Sequence, residues 1–250
     1  MKRFLSIIFL IGLYGDCDAQ YYYVNDTDSF VNVREKASIN SKIITKLPNE
    51  TIVFQSFVDE EEEKSNWVHV DFYLNKSDTR KNAEDYTPEI MKGYTLYSGF
   101  IYKTKLIAIE KLKALKYKQL KNGYTCFNDS IKITVSITPF VQSKHTVQYS
   151  KINEGLYDKV DKQPMIGSDG SKPREEIKSI TVLINNKAVF IPASAYKNLF
   201  NPSFNNDVYA DENGTIYLVM YNSDAAGSYS CIFIFKNGKF IERLVFNGEC

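Results

Sequence analysis

The chain has 250 residues and a formal net charge of +1, from 31 basic and 30 acidic side chains. So even a balance sets up no long-range field toward nucleic acid or an anionic membrane surface, and the length suits one large or two small domains. Tyr and Phe are plentiful, at 18 and 16 residues, Asn and Asp recur at turns and long helical patterns are scarce, which points to a mainly β protein.

Met1-Lys2-Arg3, the apolar run from Phe4 to Tyr14 and the small residues Cys17 and Ala19 have the layout of a secretory signal peptide over 1–19. The apolar run is too short for a permanent bilayer span. Cleavage is expected after Ala19, giving an exported chain, periplasmic or secreted, with no stable membrane insertion once the leader is gone. Lipidation of Cys17 would need a small residue before it, and Asp16 stands there.

Alternating apolar residues then mark short strands, from Val31 and Val33 through Ile43, Ile44, Ile52 and Val53 to Trp67, Val68, Val70 and Phe72. The acidic run Asp59–Glu63 reads as a solvated loop tip, and the polar stretch 75–88 as an inserted loop. In 106–122, Leu106, Ile109, Leu112 and Leu115 recur at three-residue spacing, so helix and strand both stay open; the segment 108–122 is expected to connect two domains, 20–107 and 123–250. Beyond it the pattern is again β. Ile131–Ile137 alternates, Ile180–Ile184 and Ala188–Pro192 flank an Asn185-Asn186 turn, and Ser228–Phe235 and Phe240–Phe246 flank Asn237-Gly238. A single short helix is expected at Ala193–Phe200, ahead of Pro202.

If Cys17 leaves with the leader, Cys126, Cys231 and Cys250 remain in an oxidising compartment. Three is an odd number, so at most one internal bridge forms. Cys126 with Cys250 is the favoured pair, and no bridge is the alternative. A cysteine-peptidase pair would need a Cys at a helix start beside a His. The two histidines, His69 and His145, lie on a strand and in a loop, and nothing helix-opening introduces Cys126. Ligand spacing for zinc is missing, and Asp169 and Asp224 sit in turns without the repeated carboxylates of a calcium loop. No catalytic residue, metal or cofactor is therefore expected, although paired carboxylates from distant strands leave a hydrolase open.

The order Phe30-Val31-Asn32-Val33-Arg34, Ser41-Lys42-Ile43-Ile44, Leu47–Val53, Trp67-Val68-His69-Val70 and Gly99-Phe100-Ile101-Tyr102 through Leu106 resembles a bacterial SH3-like domain over about residues 22–107. Such domains open with an "LNVR"-like strand and close with "GWVxxxxL". The C-terminal half is similar to uncharacterised exported bacterial β-domains, for which no activity is implied. The resemblance implies a small N-terminal barrel, an antiparallel β-rich C-terminal domain with little helix, and a module that binds peptidoglycan or an envelope protein rather than nucleic acid. Trp67 and Phe100 are expected in the barrel core, with Trp67 also a ligand-facing candidate beside Tyr94, Tyr97 and Tyr102. The function expected is a non-catalytic binding protein of the envelope. Two alternatives remain: an inhibitor or immunity-type protein that enters a wall-degrading enzyme through loops 165–174 and 222–228, and a cell-wall hydrolase.

Overall fold

The computed structural model describes residues 20–55, 64–75, 91, 93–204, 206–223 and 227–247. The expected leader with Cys17, the acidic run 59–63, nearly all of the 75–88 insertion, Asp224 and Cys250 lie outside them. Among the described residues the chain is mainly β, and no helix reaches seven residues. None is long and apolar enough to cross a membrane.

The first seven strands are β1 (Gln20–Val24), β2 (Phe30–Arg34), β3 (Ile43–Pro48), β4 (Ile52–Gln55), β5 (Trp67–Asn75), β6 (Tyr94–Tyr102) and β7 (Leu106–Ala108). They pair antiparallel in the order β3-β2-β6-β5-β4-β1-β7. The sheet curls into a half-barrel, and two of its seams are narrow: among the described residues β2 pairs with β6 at Arg34–Phe100 and β4 with β5 at Phe54–Asp71. Gly99 permits the first seam, since a Cβ there would lie 2.5 Å from the Val33 side chain. Val33, Leu47, Val68, Val70, Phe72, Tyr97 and Ile101 fill the concave side.

The remaining strands are β8 (Lys113–Ala114), β9 (Lys116–Leu120), β10 (Gly123–Phe127), β11 (Ile131–Pro139), β12 (Val147–Tyr149), β13 (Tyr157–Val160), β14 (Gln163–Pro164), β15 (Glu175–Ile184), β16 (Lys187–Val189), β17 (Asp207–Ala210), β18 (Ile216–Asn222), β19 (Tyr229–Lys236) and β20 (Lys239–Asn247). They form an outer sheet, β16-β15-β11-β10-β9, a small one, β12-β13-β14, and a central one, β20-β19-β18-β17-β8. Both expected hairpins form. Asn185 and Asn186 at φ 51° and 61°, and Asn237 and Gly238 at 51° and 70°, supply the left-handed pair that a two-residue turn requires.

Burial orders these layers. Strand β11 alternates buried and partly exposed residues, as a sheet with one wet face must, whereas β19 is buried from Tyr229 to Phe235. The central sheet is therefore covered on both sides. Tyr124, Cys126, Ile133 and Val135 of the outer sheet share one continuous core with it, and so do Tyr21, Tyr23, Phe54 and Tyr73 of the half-barrel. Phe246 on β20 is the junction: its ring lies 5.3 Å from Tyr21, 5.1 Å from Phe54 and 5.3 Å from Tyr73. The Tyr73 hydroxyl donates to the Val245 carbonyl at 2.9 Å.

One open alternative is settled and one local expectation is corrected. Residues 106–122 hold strands β7, β8 and β9 with one 3-10 turn at Ile109–Lys111 and no α-helix; Leu106 joins the half-barrel core while Ile109 and Leu115 join the larger one, so their common spacing serves two different elements. The helix expected at Ala193–Phe200 shrinks to a 3-10 turn at Ala193–Ala195. Arg243 takes the carbonyl of Ala195 at 2.9 Å, and Phe200 pairs instead with Glu176 across a β-bridge.

Deleting the ring at the junction tests the continuity of the core. Phe246→Ala is expected to cost about 3–5 kcal/mol, and calorimetry of the chain from Gln20 onward should show one transition moved to lower temperature. Two transitions, only one of them lowered, would contradict it.

Candidate functional site

Strands β5 and β6 run side by side over their full lengths, with Trp67 opposite Tyr102, His69 opposite Phe100, Asp71 opposite Ser98 and Tyr73 opposite Leu96. Side chains alternate across a strand. Val68, Val70 and Phe72 therefore enter the half-barrel together with Tyr97 and Ile101, and the residues between them share the opposite, convex face. One end of that face is covered by the central sheet, where Tyr73 bonds Val245 and the Tyr94 hydroxyl donates to Glu242 Oε2 at 3.0 Å. The other end is open and carries Trp67, His69, Phe100 and Tyr102. The Asp71–Ser98 hydrogen bond lies between the two ends.

The open end is aromatic and ordered. Trp67 meets Tyr102 edge-on with ring centroids 5.3 Å apart, and His69 lies 4.8 Å from Phe100. Tyr102 is 39% exposed, and the other three are half-buried. Arg34 extends the row through its pairing with Phe100, its guanidinium donating to the Ser41 carbonyl at 2.6 Å. Flat rings ringed by a cation, a carboxylate and hydroxyls suit a ligand that combines apolar surface with hydrogen-bonding groups.

Of the four candidates read from the sequence, the structure brings Trp67 and Tyr102 together on this face. Tyr97 does not belong there. It lies three positions from Tyr94, which in a strand means the opposite side, and it is 1% exposed in the half-barrel core, 6.0 Å from Phe72. Tyr94 shares the correct face but is roofed by β20, and burial followed by the Glu242 carboxylate pushes its hydroxyl up to about 12. Trp67 and Phe100, expected in the core, are half-exposed instead, because they hold the odd register against Val68 and the even one against Ile101. His69 and Arg34 were passed over; their parity with Trp67 and their place beside the Phe100 strand were the signals that could have found them.

The other candidates take structural places. Cys126 and Cys231 are free thiols with no exposed surface, and burial pushes the first up to about 11 and the second to about 12. Cys126 contacts the Asn206 carbonyl at 4.0 Å. The bridge expected between it and Cys250 has one end outside the described residues. His145 is engaged elsewhere: Nδ1 lies 2.8 Å from Asp161 and Nε2 3.2 Å from Glu176, while the ring stacks on Phe140 at 4.7 Å. The two carboxylates take opposite ring nitrogens, so the three groups do not converge on one point, and among the described residues no His, Cys, Asp and Glu cluster could hold a metal ion. Loop 165–174 and Ser223 meet at a polar knot with Asn201. The Gly167 carbonyl accepts from both Asn201 and Ser223, and at φ 96° Gly167 passes so near the Phe200 carbonyl that a Cβ would stand 2.2 Å from it.

Comparison with protein-family models, with curated proteins and with solved structures returned no match.

Two outcomes follow from these placements. Trp67→Ala is expected to lower stability by about 1 kcal/mol, the scale of an exposed aromatic pair, whereas Phe72→Ala should cost about 3–5 kcal/mol; urea unfolding compares them, and equal losses would return Trp67 to the core. The Asp161 carboxyl is pushed up by burial but held below its ordinary value by hydrogen bonds from His145 and Thr146. A depressed carboxyl contributes stability above its unfolded pKa and loses it as pH falls through the folded one. Asp161→Asn should therefore lower the urea midpoint near neutral pH, and the gap from the parent should close on acidification. A gap unchanged at acid pH would contradict this.

Proposed function

We propose that the half-barrel is an SH3-like module and that the chain is a non-catalytic protein of a bacterial envelope, exported by its leader, which binds peptidoglycan through the open aromatic face. The observation that carries the reading is the Trp67–Tyr102 pair with His69 and Phe100 beside it, half-buried with Tyr102 exposed, on a face whose other half the chain has covered for itself. Monomeric proteins rarely leave clustered apolar surface uncovered without a use for it. Peptidoglycan offers what such a face can hold: sugar rings with apolar flanks that lie on aromatic planes, and peptide amides for the Asp71 carboxylate and the Arg34 guanidinium.

The arrangement of the titratable groups supports a binding role. His145 and its carboxylates diverge, both described cysteines are sealed in the core, and His69 is paired with an aromatic ring. Co-sedimentation of the chain from Gln20 onward with purified, protein-free sacculi tests the reading. Retention is expected, and the double change Trp67→Ala with Tyr102→Ala should reduce it roughly tenfold while leaving the fold intact, because stacking contacts of this kind sum to more than 1.4 kcal/mol. Retention no greater than that of an unrelated soluble protein, or unaltered by the double change, would contradict it.

A further inference from the structure

The outer sheet has a wet face on the opposite side of the molecule from the half-barrel, and its composition is unusual for a solvated surface. Across the strands, Lys116 pairs with Phe127, Phe127 with Lys132 and Lys132 with Leu183, so cationic and apolar side chains alternate along one row. In the next row Lys118, Thr125, Thr134 and Thr181 stand side by side. The surface between these rows is hollowed into a cavity of about 470 Å³, within the range of small-molecule sites. Leu120, Phe127 and Leu183 give it apolar walls, Lys118 and Lys132 stand over it, and Asp129 is the acid on its rim.

Neither lysine forms an ion pair among the described residues, and both are exposed. Strands lie about 4.8 Å apart and advance about 3.4 Å per residue, so two strands and two residues separate their Cα atoms by roughly 12 Å. Side chains of that length can converge on one group between them. The threonine hydroxyls cannot compete as donors: Thr134 donates to Thr125 Oγ1 at 3.0 Å, and Thr125 donates to the Ile133 carbonyl at 3.0 Å. The two ammonium groups are thus charged donors placed to meet a negative charge above an apolar floor, with Asn128, Ser130 and Asn186 as neutral polar groups beside them.

We propose that this cavity binds a small amphipathic organic anion, its charged head between Lys118 and Lys132 and its apolar body against Phe127, Leu120 and Leu183. The site is separate from the aromatic face of the half-barrel, so its failure and the failure of the envelope-binding reading are told apart by which face responds. The test uses 4-phenylbutyrate as probe and its neutral amide as control, followed by amide chemical shifts on the full chain from Gln20. Saturable shifts are expected over residues 116–134 and 181–186 with the acid, and roughly tenfold weaker binding with the amide or in the double variant Lys118→Gln with Lys132→Gln, as loss of a charged hydrogen bond implies. Lys178→Gln, on β15 outside the cavity, serves as a control and should bind as the parent does. No saturable shift at millimolar probe, shifts scattered over other surfaces, or equal binding by the amide or the double variant would overturn the proposal.

Discussion

A sheet buried on both faces is the constraint on which the rest of this molecule depends. From Ile216 to Met220 in β18 and from Tyr229 to Phe235 in β19 neither side meets water, so each strand needs a cover on both sides, and two different parts of the chain provide them. The outer sheet closes one side with Tyr124, Cys126 and Val135; the convex side of the half-barrel closes the other with Tyr21, Tyr23, Phe54 and Tyr73. Fully burying side chains of this size contributes about 1.5–3 kcal/mol each, whereas the polar contacts that accompany them are few. Glu50 pairs with Lys236, and Tyr94 reaches Glu242. Both are partly solvated; an ion pair such as Lys236–Glu50 contributes about 1 kcal/mol or less there, and the Tyr94 hydroxyl's bond to the Glu242 carboxylate is a single hydrogen bond. Apolar burial rather than charge holds the layers together.

That same constraint decides where function can lie. The convex face of β5 and β6 carries aromatic side chains at both ends, Tyr73 and Tyr94 at one and Trp67 and Tyr102 at the other, with Asp71 and Ser98 between them, and the central sheet takes only the first end. The second end has the composition of an interior and the position of a surface. Such residues lower solubility unless something binds them. The outer sheet shows a milder version of the same conflict, with Phe127 and Leu183 set among lysines on a face that alternation would make wholly polar.

Much of the fold was legible because period-two alternation and turn chemistry are local. The hairpins at Asn185-Asn186 and Asn237-Gly238, the single wet face of β11 and the scarcity of helix all follow from neighbouring residues. Parity within β6 was equally local and would have separated Tyr97 from Tyr94 and Tyr102; grouping the tyrosines by proximity in sequence obscured it. Other features are not local. That Tyr94 would lie beneath β20 depends on Glu242, a residue 148 positions away. The three-residue spacing of Leu106, Ile109, Leu112 and Leu115 imitates a helix because the segment passes from one core to the next, and each core takes the residues facing it. Trp67 reads as core from its size and its valine neighbours, yet register assigns it to the outside. Size alone does not decide burial in a strand; parity does.

Binding at this face requires that the Trp67 end be free to receive a ligand. Trp67 is the only tryptophan in the chain, so its fluorescence reports on this face alone. Acrylamide quenching of the chain from Gln20, with and without soluble peptidoglycan fragments, measures it directly. Efficient quenching in the free protein that falls as fragments are added is the predicted result. A tryptophan already shielded in the free protein, or equally quenched at saturating fragment, would contradict the assignment of this face.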